Sequence, residues 1–358
     1  MTIDTRRTPI TRRTLLKTSL ATTALVGAGP AIIGRAQAAD NSVIVNTWGG
    51  IYTAAQDEGY FKPFTKATGI EVKTATPVSF AKLKAQVQSG NYEWDVTSTG
   101  PIDYVAGMKQ GLVEPLDWTV IDRSKITPSA IGVSGIQSQA LATTLVYQKK
   151  KFPNGGPQSW ADFWDVKKFP GARGLCTDEV YSNIGFALLA DGVPKDKLYP
   201  LDLDRGFKKL DQIKPHIKVW WSQGSQSEQL MRDGEVDMMS MWNGRSQALV
   251  DAGVPVEIVW NEAQTYFSYW YVAKGSPRAK NAMKFIEFAA QGQGQAIFGS
   301  KMFYGPSNPK AFEFLTKADA EKMPTSPEHS KISFTPDNEW LGENLDRIKE
   351  RWNQWIAA

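Results

Sequence analysis

Short apolar runs alternate with amphipathic stretches from residue 43 onward. Val43-Ile44-Val45 is a buried-strand signal. Residues 53–68 carry helical spacing at Ala54, Tyr60, Phe61 and Phe64, with Pro63 placed to split the run. Gly69 suits the left-handed residue that ends a helix. Residues 70–73 read as a second strand, 80–89 as a helix closed by Gly90, and 95–97 as a third strand. A helix over 102–110 closes on Gly111. Strands separated by helices of this length predict a parallel, doubly wound sheet.

The same grammar returns later. Residues 226–233 are helical, Gly234 stops them, and 236–240 form a strand. Helix, glycine, acidic residue and buried strand recur at 89–96 and 233–238, one device used twice rather than a true repeat. Between them Phe-Pro-Asn-Gly-Gly-Pro-Gln (152–158) is a turn-rich connector. Further helices are expected over 277–291 and 338–355. The chain therefore reads as two α/β lobes.

The N-terminus departs from this pattern. Arg12-Arg13 precede Leu15-Leu16-Lys17, an uncharged stretch runs from Thr18 to Gly34, and Ala36-Gln37-Ala38 precedes Ala39. A charged start, a short apolar run and small residues are the parts of a cleaved export signal. The run holds Pro30 and is too weak to prefer a bilayer, which wants about 20 strongly apolar residues. The arginine pair points to the twin-arginine type; a general secretory signal is the alternative. No Cys stands at the cut, so a lipid anchor there is not expected. The product is expected in the periplasm.

This segment changes the charge. The whole chain of 358 residues has 41 basic and 37 acidic side chains, a net of +4. Residues 1–38 hold six of the basic and one of the acidic, leaving 35 against 36 and a net of −1. A nucleic-acid or anionic-membrane role loses its support. With one Cys, Cys176, a disulfide framework and a Cys-cluster metal site are excluded, and a buried, inert thiol is expected. With only His216 and His329, far apart, neither a zinc centre nor a nucleophile–base pair has a motif. No cofactor is expected. The surplus is aromatic: 13 Trp, 11 Tyr and 16 Phe.

Ligands of open α/β sheets bind at loops leaving the C-terminal strand ends. Five such loops here are aromatic and polar: 46–52, 98–101, 177–183, 241–245 and 303–308. Two lobes facing each other would bring them into one cleft.

Several segments then carry a family likeness. They are Phe64-Thr65-Lys66-Ala67-Thr68-Gly69-Ile70-Glu71-Val72, Tyr92-Glu93-Trp94-Asp95-Val96, Ser159-Trp160-Ala161-Asp162-Phe163-Trp164, Gly234-Glu235-Val236-Asp237 and Met241-Trp242-Asn243-Gly244. In this order they resemble the solute-binding proteins of ABC importers, the spermidine/putrescine-binding group in particular. The resemblance implies a two-lobed periplasmic binding protein fold (type II), each lobe a mainly parallel sheet flanked by helices. It implies chain crossings near Thr144 and Val272 and a third nearer the C-terminus. Residues 39–144 plus 272–310 would form one lobe, and 145–271 plus 311–358 the other. It also implies a non-enzymatic monomer that closes on a small solute and delivers it to a membrane permease.

Carried over residue by residue, the likeness assigns an aromatic clamp to Trp48 and Tyr52, and further ligand contacts to Trp242 and Tyr304. The two acidic positions of the Thr-Asp loop fall on Glu179 and Ser182. The family's later Trp-x-Asp falls on Ser268-Tyr269-Trp270, so Trp270 remains and the Asp is absent. Gly100 and Ile102 stand where Ser and Tyr are usual. Arg245 directly follows Trp-Asn-Gly. A dicationic polyamine needs carboxylates near both ends, whereas a guanidinium repels a dication and grips a carboxylate. The site residues therefore predict a solute with nitrogen at one end, met by Glu179, and an acid at the other, met by Arg245. A γ-amino acid, an opine or a betaine fits, and a polyamine-like amine stays beside them as the other solute class.

Other readings stand beside this one. Arg245 pairs with Asp251 or points to solvent in one alternative, and Glu179 caps the helix after it in another. Tyr266, Tyr269 and Tyr271 suggest a ferric site, but strand alternation puts neighbours on opposite faces. Asp178 and Glu179 suggest glycoside chemistry, but adjacent residues rarely converge on one bond. Thiamine or a sulfonate on the same scaffold would change only the solute.

Overall fold

The computed structural model describes residues 41–358; the export-signal expectation for 1–38 lies outside them. Nine strands form one sheet: β1 (Ser42–Asn46), β2 (Glu71–Ala75), β3 (Val96–Thr99), β4 (Ile136–Gln148), β5 (Arg173–Cys176), β6 (Ile217–Trp221), β7 (Met238–Trp242), β8 (Val256–Val272) and β9 (Gly305–Pro306). The order is β2-β1-β3-β8-β4-β7-β5-β6, with β9 on β4. The strands β2-β1-β3 are parallel, as are β6-β5-β7. Between them β4 and β8 run antiparallel to each other and to their neighbours.

These two long strands tie both halves together. Near its start β4 pairs β8 as Ile136 with Trp270; near its end it pairs Gln148 with Val256. The register shifts between Gln137 and Ala140 and again between Thr143 and Leu145. On β8 the corresponding passage is Val259 to Gln264, where Glu262 holds φ 59°. That left-handed residue is clasped. Its Oε2 accepts from Trp160 N at 3.0 Å, and its carbonyl accepts from Trp160 Nε1 at 3.1 Å. Two such bonds offset the cost of the αL conformation. A third segment joins the same zone. Thr265 N donates to the Phe334 carbonyl and Phe334 N to that of Ala263.

The predicted helices form with their glycine stops. The helix Phe80–Ser89 ends on Gly90 at φ 73°, and Lys62–Thr68 on Gly69 at φ 71°. Pro63 does not split its run. Gly50–Gln56, a π turn at Asp57–Phe61 and Lys62–Thr68 continue without a break, the Lys62 amide reaching back to Asp57 O. The wider turn absorbs a proline that an α-helix rejects. It also brings Gly59 against Gly294, where a Cβ would lie 2.7 Å from the facing carbonyl.

Each half buries its own apolar layers. Val43, Val45, Phe64, Phe285 and Phe298 pack on one side of the first half. Leu175, Ile184, Phe186, Leu210 and Met238 pack in the second. The final helix, Asn338–Ala357, bridges them. It packs on Val180–Ala190 and on Pro101–Lys109, with Lys109 Nζ 3.0 Å from Glu343. Among the described residues no helix is long and apolar enough to cross a membrane.

Candidate functional site

The chemistry gathers where the parallel strands end. β1 leads into Tyr52 in the first turn of Gly50–Gln56. β5 leads into Glu179, directly before the helix Val180–Ala190, and β7 ends on Trp242 before Asn243–Asp251. Tyr304 precedes β9, which lies along β4 at Gln139 and Ala140.

Glu179 is the most informative residue. It is buried and makes no capping bond to its helix. Its Oε2 accepts from Thr143 Oγ1 at 2.8 Å and its Oε1 from Tyr266 Oη at 2.9 Å. Burial holds its pKa above the ordinary carboxylate value; the Thr143 and Tyr266 hydroxyls and the Trp242 indole pull it back. The Trp242 N–H comes close enough for that effect, yet finds no hydrogen-bond partner of its own. Among the described residues no cationic side chain is in hydrogen-bond contact with this buried carboxylate, which chemically could accept a positive charge.

Arg245 follows Gly244, which packs on the Tyr304 ring, and its Nε lies against Gly224. Burial raises the Tyr304 pKa, the Arg245 guanidinium lowers it, and the Glu179 carboxylate raises it. One phenol thus feels both charges. Tyr52 continues the wall, its hydroxyl accepting from Gln139 Nε2 at 2.7 Å and its ring edge-on to Phe298 at 5.2 Å. Its pKa is raised by burial and then by Tyr304.

The Trp-Asn-Gly motif fixes this geometry. Asn243 Oδ1 accepts from the Ala142 amide at 2.9 Å, and its Nδ2 donates to Phe303 O at 2.6 Å. One side chain thus pins β4, the end of β7 and the segment carrying Tyr304. Gly244 is required beside it: a Cβ there would lie 2.8 Å from Met302 O and 2.9 Å from the Tyr304 ring. In the first loop Thr47 Oγ1 donates to Gln56 Oε1 at 2.6 Å, and Asn46 Nδ2 reaches the Ala75 and Pro77 carbonyls.

The structure brings together Tyr52, Glu179, Trp242, Arg245 and Tyr304. Ser182 lies one helical turn from Glu179, buried, its Oγ accepting from Gln264 Nε2 at 2.7 Å. Trp48 is 53% exposed on the first loop. Trp270 requires a correction. It is fully buried in the core, its ring 5.4 Å from Phe285 and 6.3 Å from Tyr60. Alternation along β8 sends Tyr269 and Tyr271 to the opposite face, against Tyr104. The alternative pairing of Arg245 with Asp251 is not formed. Asp251 is taken by Lys322 and Gln247, and Arg245 pairs with Glu228 at 2.9 Å.

Four neighbours were not anticipated as site residues: Gln139, Thr143, Gln264 and Tyr266. All sit on β4 or β8, whose polar positions in long strands are the signal that could have found them. Gln139 Oε1 and Gln264 Oε1 are buried without a partner. Tyr266 turns to Glu179 rather than joining its neighbouring tyrosines. Among the described residues no group of three or more His, Cys, Asp or Glu is placed to hold a metal.

A sheet in two parallel halves, joined by two long strands with polar groups converging at the strand ends, defines a two-lobed α/β binding protein. Residues 59–327 match the family model of bacterial extracellular solute-binding proteins, and the chain belongs to that family. A γ-aminobutyric acid-binding protein of Pseudomonas aeruginosa is 36% identical, over 92% of this chain and 95% of the relative. The structure of an ABC transporter substrate-binding protein from Bradyrhizobium japonicum superposes with a TM-score of 0.84 at 37% identity, covering 88% of this chain and 99% of the other. The binding protein AgtB of A. tumefaciens R10, solved with agropinic acid, gives 0.76 at 34% identity, with the same coverage. The family expected from the sequence motifs is the one found.

Proposed function

We propose that this chain is the substrate-binding component of an ABC importer for a small solute with nitrogen at one end and an acid group at the other. The observation that carries this reading is a buried carboxylate, Glu179, held by Thr143 and Tyr266, with a cation, Arg245, directly after Gly244, which packs on the Tyr304 ring. Glu179 meets the ammonium or quaternary nitrogen, and Arg245 meets the acid group. Tyr52, Trp242 and Tyr304 pack the apolar part, Trp48 covers it from the exposed loop, and Ser182 steadies the Glu179 turn. The names of relatives at 34–36% identity, one for γ-aminobutyric acid and one solved with agropinic acid, support the amino-carboxylate class.

The lobes close about β4 and β8 and hand the solute to a permease. The protein works as a periplasmic monomer, exported by the twin-arginine segment at residues 12–17 and cut before Ala39. It carries no catalytic group. The lobe division proposed is the one the family likeness implies, residues 39–144 plus 272–310 against 145–271 plus 311–358, with crossings near Thr144 and Val272.

Calorimetry with γ-aminobutyrate and with putrescine tests the reading. The expected result is saturable heat with γ-aminobutyrate and none with putrescine. Tight putrescine binding with silence from every zwitterion would overturn it.

A further inference from the structure

Arg245 is held by more than its own backbone. Its Nη1 donates to Glu228 Oε1 at 2.9 Å, and Arg232 approaches the same carboxylate at 4.0 Å. Glu228 lies on the helix Gly224–Arg232 and is largely covered, 18% exposed, whereas the Arg245 side chain is 44% exposed. The start of that helix supplies a second contact. A Cβ at Gly224 would lie 2.8 Å from Arg245 Nε and 3.2 Å from the Trp242 ring. One helix therefore presents bare backbone to the middle of the arginine side chain and, one turn on, a carboxylate to its tip.

A guanidinium has five N–H donors in a rigid fork, so one can be anchored while the others remain for a ligand. An unanchored arginine has to be ordered by the ligand itself, which weakens binding. Gly224 and Glu228 together restrict that freedom.

We propose that Glu228 is a positioning residue for solute selection: by gripping Arg245 Nη1 it aims the remaining guanidinium N–H groups at the acid end of the solute. This rests on the reading of Arg245 given above. It adds that the preference for an acid end depends on a residue that never touches the solute. A purely structural Glu228 would affect all solutes equally; a positioning one affects only those with the acid.

The test compares γ-aminobutyrate with γ-aminobutyramide, which keeps the shape and loses the negative charge. Both are titrated into wild type, Glu228→Ala, Glu228→Gln, Glu228→Met and Arg245→Met, with folding checked by thermal melting. In Glu228→Ala the γ-aminobutyrate affinity is expected to fall about fivefold to tenfold, with the amide within twofold of wild type. Glu228→Gln, which keeps an acceptor oxygen, is expected to recover most of the loss; Glu228→Met, which keeps the length without an acceptor, carries the test if the alanine variant does not fold. Equal shifts for both ligands, or none, would overturn the role of Glu228. The control separates the two claims. If Arg245→Met abolishes the preference for the acid while Glu228→Ala leaves it intact, only the positioning role fails. If Arg245→Met preserves the preference, or wild type binds neither ligand, both readings fail.

Discussion

Replacing Glu179 by Gln should move binding and stability in opposite directions. This carboxylate is buried and accepts from Thr143 at 2.8 Å and Tyr266 at 2.9 Å. Burial outweighs those bonds and raises its pKa. A carboxylate with a folded pKa above its unfolded one binds protons more readily when folded. Its ionised form therefore subtracts stability at neutral pH, and stability rises as pH falls through the folded pKa. The amide keeps the shape, and its oxygen still accepts from one hydroxyl. Removing the buried charge is expected to add about 1 kcal/mol, a rise of about 2 °C in Tm for a chain of this size. Binding goes the other way. An ammonium left without its buried counter-charge costs about 3 kcal/mol, or roughly a hundredfold in Kd. Differential scanning calorimetry without ligand and titration with γ-aminobutyrate read the two effects. A drop in Tm of several degrees with an unchanged Kd would refute the reasoning and make Glu179 a structural residue.

Affinity for the same ligand should fall on acidification, with a midpoint above the ~4.3 of a free Glu side chain, measured by titration across pH in wild type. Tyr266→Phe removes one donor from the ionised carboxylate, so it should move that midpoint upward and weaken binding at neutral pH by about 1–2 kcal/mol. Asn243→Ala cuts both the Ala142 and Phe303 tethers and should cost about 2–3 kcal/mol in urea unfolding. Burial pushes the Cys176 thiol up to about 12, so a thiol reagent should leave the native protein unlabelled and react only in denaturant.

The local grammar of the fold was legible in the sequence because it is written locally. Gly69, Gly90, Gly111 and Gly234 all take positive φ where helices stop. The crossing strands were less legible. β4, Ile-Gln-Ser-Gln-Ala-Leu-Ala-Thr-Thr-Leu-Val-Tyr-Gln, mixes polar and apolar positions because its middle lines the site, and β8 does the same at Asn261-Glu262-Ala263-Gln264-Thr265-Tyr266. A hydrophobic pattern cannot flag strands whose burial is supplied by partners more than a hundred residues away. In the site, Glu179, Trp242, Arg245 and Tyr304 stood in short loop motifs and could be read there. Trp270 could not be placed the same way, because only the β3 and β4 pairings decide which face of β8 it takes. Thr143 and Tyr266 become partners of Glu179 only through tertiary packing, and Glu228 reaches Arg245 across 17 positions.

The pairing of β3 with β8 also sets an order of events during synthesis. Val96 finds its antiparallel neighbour only at Val272, and Tyr271 closes on Thr99 across 172 positions. Residues 42–99 supply three parallel strands whose open side has no covering neighbour until the ribosome has made β8. Contacts of such long separation close slowly and late. The first half to be synthesised thus waits on β8, and a truncated product ending before residue 256 would expose a bare sheet edge prone to pairing with another chain.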